Sequence, residues 1–141
     1  MPILNYTTSI SAEKTIGEIQ KLLQKAGAQA IMTEFDEGIV SSISFRMMTP
    51  HGLIAFRLPC NTQGVFKALK QEAQPRYQTK EQASRVAWRI VKDWVEVQIA
   101  MLDAEQADTV ELFLPFAQDN AGVTVYERLK KSDFKMLTHQ E

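Results

Sequence analysis

A run of twenty-six residues, Thr79 to Ala104 (TKEQASRVAWRIVKDWVEVQIAMLDA), constrains this chain more than any other stretch. Thr79 is a good N-cap, and Gln82 stands three residues later where a capping box needs it, so the spacing predicts a helix starting here. Ala83, Ala87, Ile90, Trp94, Val97, Met101 and Ala104 recur at alternating steps of four and three and fall on one side of that helix. Trp88, Val91, Val95 and Leu102 form a second row beside them. At 1.5 Å per residue the helix would be roughly 39 Å long. A helix apolar over so broad an arc needs more than one neighbour to cover it, which makes it the expected backbone of the core.

The rest of the chain supplies short elements. Pro2 to Ser9 (PILNYTTS) has the β-branched and aromatic content of a first strand. Ser11 then caps an amphipathic helix with Ile16, Ile19, Leu22, Leu23 and Ala26 on its apolar face, and Gly27 stands where that helix should stop. Three strands are predicted next: Ala28 to Phe35, Ile39 to Met48, and Leu53 to Leu58, separated by turns at Asp36-Glu37-Gly38 and Thr49-Pro50-His51-Gly52. In the middle strand Ile39, Ile43, Phe45 and Met47 should face one side. Asn61 or Thr62 starts a helix through about Ala73, and Pro75 breaks the chain before the long helix. Val110 to Pro115 reads as a strand or extended arm, Asp119 to Gly122 as a loop, and Val125 to Lys131 as a short helix behind the Thr124/Glu127 capping box. Phe134 to Leu137 reads as a last small strand.

These elements imply an α+β fold in β-α-β-β-β-α-α order. An antiparallel sheet of three or four strands should be packed on one face by the N-terminal helix and the long helix. A length of 141 residues with 45% apolar content suits a single domain over 1–141. No apolar run approaches the ~18 residues of a membrane span, and MPILNYTTSI has no basic region followed by an apolar core, so a soluble cytoplasmic protein is expected.

Several stretches resemble a family of hypothetical proteins of about this length carried by phages and other mobile elements. They are MPILNYTT at the start, KTIGEIQ (Lys14 to Gln20), EQASRVAWRIVKDWVEVQIAMLDA (Glu81 to Ala104) and VELFLPF (Val110 to Phe116). The resemblance spans nearly the whole chain. It implies a context rather than residue roles: a small accessory protein, of a class that often handles nucleic acid or blocks host defences.

The formal net charge of −1 hides a strong polarity. From Arg57 to Lys92 the chain carries eight basic residues and two acidic ones; from Asp93 to Glu127 it carries eight acidic residues and no basic one. The long helix is thus positive in its first half and negative in its second, opposite to what the helix dipole favours, so a partner or a packed neighbour has to account for it. Arg85, Arg89 and Lys92 share one helix face, and Arg76 and Lys80 extend it. Arg57, Lys67, Lys70, Arg76, Tyr77, Arg85, Arg89 and Lys92 are therefore the candidate site for nucleic acid or a nucleotide, with Tyr77, Trp88 and Phe66 interleaved as base-stacking surfaces. The bland reading of the same row is a solvated helix face with its arginines paired to acids.

Other chemistry is poorly represented. No phosphate-binding glycine loop, Walker sequence, His-Glu-x-x-His helix or Gly-x-Ser-x-Gly elbow occurs, and no cofactor, catalytic residue or metal ligand is assigned. The lone Cys60 with His51 is a formally possible nucleophile pair, and marks a small enzyme as one alternative. The other is an interaction protein that inhibits a host defence protein, its acidic half from Asp93 to Asp119 mimicking nucleic acid. Two long helices packed antiparallel would pair opposite charges across the apolar stripe, so a homodimer through the long helix is also consistent, as is packing of that stripe on the protein's own sheet.

Overall fold

The computed structural model describes residues 2–139. It is an α+β protein whose elements run α1 (Ala12–Lys25), β1 (Ala30–Asp36), β2 (Ile39–Thr49), β3 (Gly52–Arg57), α2 (Thr62–Glu72), α3 (Lys80–Asp103), α4 (Thr109–Phe113), β4 (Ala117–Gln118) and α5 (Val125–Lys131). The chain forms two compact units, each assembled from separated stretches. The first joins the residues up to Ala26 with Pro59–Ala104 and holds α1, α2 and α3; the second joins Gly27–Leu58 with the chain from Glu105 onward and holds the sheet, α4 and α5.

In the first unit, α1 and α2 both pack against α3. Ser11 Oγ accepts from Lys14 N at the start of α1, and Asn61 Oδ1 accepts from Gly64 N at the start of α2, as the capping residues predicted. Gly27, with φ 108°, follows α1 in a conformation that a side chain would strain. Leu69, Ala73 and Ala83 form a buried cluster, against which Ile3, Tyr6, Val65, Phe66 and Tyr77 pack. The first four turns of α3 are buried almost all round: Gln82, Ala83, Ser84, Val86, Ala87, Trp88, Val91 and Val95 are all inside. Ala83 and Ala87 are thus consumed within the chain, whereas Val97 of the same stripe is 57% exposed.

Two expectations for this unit are overturned. Pro2 to Ser9 is not a strand: Tyr6 N bonds to Ile3 O and Thr8 N to Asn5 O, giving successive turns, with Asn5 at φ 64°. The β-branched residues there have no neighbouring strand to pair with, and asparagine tolerates the left-handed region, so turn geometry prevails. The capping box at the start of α3 is half formed. Thr79 Oγ1 accepts from Gln82 N, but the Gln82 side chain goes elsewhere, as described below.

The second unit is a four-stranded antiparallel sheet in the order β1-β2-β3-β4. Glu37 and Gly38, both at positive φ, make the two-residue turn between β1 and β2, the geometry that matches the strand twist. Phe45 pairs with Phe56 across β2 and β3, their rings stacked 5.3 Å apart, and Phe113 of α4 meets Phe45 edge-on at 5.5 Å. Ile43, Phe45 and Met47 are buried as the alternation predicts, but Ile39 is exposed. The register shifts between Glu34 and Phe35, which pair with Ser42 and Val40, so Ser41 is an extra residue and the period-two count breaks before Ile39.

Val110 to Pro115 is not extended. Asp108 and Glu111 form a capping box that starts α4, and Leu114–Phe116 continues as a 3₁₀ turn. The short strand of this region is Ala117–Gln118 instead, paired with Ala55 and Phe56. Phe134 to Leu137 is a set of turns, with Phe134 N bonded back to Leu129 O and Asp133 and Phe134 at positive φ. The Thr124/Glu127 box forms as expected ahead of α5.

Two results are expected of this unit. Phe56→Ala, which removes the ring between Phe45 and Phe113, should lower the unfolding free energy by about 3–5 kcal/mol in a urea titration. Acid should weaken the α5 end. Glu127 is held below its ordinary pKa by the Thr124 N–H, then the Thr124 hydroxyl and Arg57; Asp119 is held down by Arg128, then by the N–H groups of Val123 and Ala121. Both are depressed in the folded state, so their stabilisation is present above the unfolded carboxylate pKa of about 4 and is lost as pH falls below it. Thermal melts from pH 6 downward should show that loss begin near pH ~4, and the double variant Asp119→Asn, Glu127→Gln should flatten it.

Candidate anion-binding site

In the first unit, Thr7, Thr8, Ser9, Arg76, Tyr77, Gln82 and Arg85 line an open cleft of about 420 Å³. Its organiser is Gln82, which is 4% exposed. Its Nε2 donates to Tyr6 O at 2.9 Å and Thr8 O at 3.0 Å, and its Oε1 accepts from Arg85 Nε at 2.8 Å. One buried amide therefore fixes the N-terminal turns and aims an arginine. Asn5 Nδ2 adds a second tether, donating to Asp93 Oδ2 at 2.9 Å.

Arg85 spends only its Nε–H on Gln82, which leaves the paired terminal N–H groups of the guanidinium to meet an oxyanion two at a time. Arg76 stands over the Tyr77 ring, 4.7 Å from its centroid, and the Tyr77 ring meets Tyr6 in a T-shaped contact. Thr8 Oγ1 accepts from Ile10 N, so its own proton remains for donation. Every charged side chain lining the cleft is positive. Such a set suits an anion, and the donors fit the several terminal oxygens of a phosphate.

The sequence-predicted basic row does not survive as a row. Arg76, Tyr77 and Arg85 come together in the cleft. Arg89 instead pairs with Glu18 of α1 and reaches Thr15 Oγ1, and its side chain is 15% exposed. Lys92 pairs with Glu96 at 2.7 Å along α3 and lies 3.9 Å from Asp93. Arg57 belongs to the second unit and pairs with Glu127. Lys67 and Lys70 are exposed on α2 without an ion pair among the described residues, and the Lys70 ammonium sits 4.7 Å over the Phe66 ring. Trp88 is wholly buried, so it offers no stacking face.

Four lining residues, Thr7, Thr8, Ser9 and Gln82, are not among the candidate site residues that the sequence suggests. Asn5 followed by a run of hydroxyl residues was the available signal for a turn, and a glutamine on the inward side of α3 was the signal for a buried polar tether.

Cys60 is a poor nucleophile, because burial pushes its thiol up to about 12 and little thiolate forms at neutral pH. His51 lies in the β2-β3 turn, exposed, with its backbone N–H donated to Thr49 Oγ1. No group of three or more His, Cys, Asp or Glu side chains placed to hold a metal occurs among the described residues. No helix among them is long and apolar enough to cross a membrane. Compared with protein-family models, curated proteins and solved structures, the chain matches none.

Gln82→Leu should free the Tyr6 and Thr8 carbonyls and unseat Arg85. The expected cost is about 1–3 kcal/mol of stability, with amide exchange accelerating at residues 6–10 before it does in the sheet.

Proposed function

We propose that this chain is a non-enzymatic binding protein for a phosphate-bearing partner, nucleic acid or a nucleotide signal, held by the cleft of Arg76 and Arg85. The observation that carries the reading is the pairing of two arginines in one cleft with no carboxylate on its walls, one of them oriented by a buried glutamine. Structural arginines are normally answered by acids, as Arg57, Arg89 and Arg128 are here. Arg76 and Arg85 have no such partner among the described residues and both still reach water, so their charge is left to meet an anion from outside. The phage or mobile-element context from the resemblance fits a small accessory protein acting in the host cytoplasm.

Three other readings have less support. Inhibition of a host protein through the acidic half would draw on free carboxylates, but Asp93, Glu96, Asp108, Glu111 and Asp119 are engaged in pairs and caps within the chain, which leaves Asp103 and Glu105 as its exposed acids. An enzyme at His51 and Cys60 would need a thiolate that burial opposes. A homodimer through the long helix would have to use the end of α3 around the exposed Val97, since Ala83 and Ala87 are already buried.

Isothermal titration at low salt with single-stranded DNA, duplex DNA, RNA and 5′-mononucleotides tests the proposal. At least one ligand should bind, and the Arg76→Gln, Arg85→Gln double variant should weaken it by about 100-fold or more, the loss of two charge-assisted contacts. Lys130→Glu with Lys131→Glu, a larger change of charge placed on α5, should leave binding unchanged. Absence of binding by every ligand sinks the reading.

A further inference from the structure

Building on that reading of the cleft, we infer that its ligand is a small phosphomonoester, taken by its terminal phosphate, and not a nucleic-acid strand.

A strand binder needs a charged groove that continues past the first phosphate and open aromatic faces on which bases stack. Neither is found along α3 beyond this cleft. Along α3 the next two cations are already neutralised, Arg89 by Glu18 and Lys92 by Glu96, and Asp93 follows directly. A strand leaving the cleft in that direction would meet ion pairs and then carboxylates. The aromatic residues interleaved with the charges are also occupied: Trp88 is buried, Phe66 lies under the Lys70 ammonium, and Tyr77 lies under Arg76 with Tyr6 against it.

What the cleft does offer is local. Its volume of about 420 Å³ lies in the range of small-molecule sites, about 300–1,000 Å³. Two guanidiniums balance the two charges of a phosphate monoester near neutral pH, whereas an internal phosphodiester carries one charge and two free oxygens. The Arg85 terminal N–H pair takes two oxygens of the group, and the Arg76 guanidinium and the hydroxyls of Thr7, Thr8 and Ser9 supply donors for the remaining one. A terminal phosphate also needs room on one side only, which an open cleft gives. Recognition through the phosphate alone does not separate a nucleotide from a sugar phosphate, so the probe set contains both.

The full-length protein would be titrated with a 5′-mononucleotide, its nucleoside, a hexose 6-phosphate, inorganic phosphate, and a 12-mer single strand with and without a 5′-phosphate. The mononucleotide should bind, the nucleoside should not, and inorganic phosphate should compete. Removing the 5′-phosphate from the strand should weaken it about tenfold or more. The phosphorylated strand should lose affinity with salt at a slope of about 0.7, the one phosphate contact the cleft makes. Equal binding of the sugar phosphate assigns the site to phosphomonoesters at large, and preference for the mononucleotide assigns it to nucleotides; either supports the inference. A strand without terminal phosphate that binds as well as the phosphorylated one, with a slope of about 4 or more, overturns the inference while the cleft remains a polyanion site. If none of the probes binds, the cleft reading falls and this inference with it.

Discussion

The first half of α3 is buried on nearly every side, so each polar group it carries has to be answered inside the protein or left at a cost. Gln82 is answered three times, by two backbone carbonyls and by Arg85. Arg89, mostly buried, is answered by Glu18 and Thr15. Ser84 Oγ and Trp88 Nε1, one turn apart, have no hydrogen-bond partner among the described residues. The segment that covers this part of α3 is therefore not free to be any extended stretch: it must turn its carbonyls toward Gln82, and residues 6–8 do so.

The same requirement explains why the charge pattern misleads when read along the sequence. A cation near the middle of α3 that lies mostly out of water has to find an acid, because an unpaired charge there is far more expensive than a hydrogen-bonded pair. Arg89 and Lys92 meet that condition, and within the second unit Arg57 finds Glu127. Arg76 lies before α3 and Arg85 one turn inside it, where the side chains still reach water and need no acid. Part of the charge polarity read along the chain is thus answered inside it, while Arg76 and Arg85 keep their charge for the cleft.

Turn chemistry divides in the same manner. Capping residues were legible wherever their partner lies within four residues: Ser11, Asn61 and Thr79 each accept from the backbone three residues on and the Thr124/Glu127 box closes, while Gln82 alone leaves its half of the Thr79 box open. The Asp108/Glu111 box has the same spacing, but it stands ahead of the apolar, β-favouring Val110-Glu-Leu-Phe-Leu run, whose composition points to an extended segment. The bulge at Ser41 left no mark in composition, since an extra residue is visible only when the partner strand is in place.

The sequence by itself determined the α+β composition, the three strands of the meander, the helices α1, α2, α3 and α5 to within a few residues, and the fact that basic and acidic residues are segregated. Each of those follows from periodicity, caps and turn residues, which are properties of neighbours along the chain. Only the tertiary structure decided that Pro2 to Ser9 turns instead of extending, that Gln82 leaves its own helix cap to hold that segment, and that three of the cations read as one face are paired away. Those outcomes depend on groups more than seventy residues apart competing for the same partners, as Asn5 with Asp93 and Arg89 with Glu18 do, and that competition has no signature in local spacing.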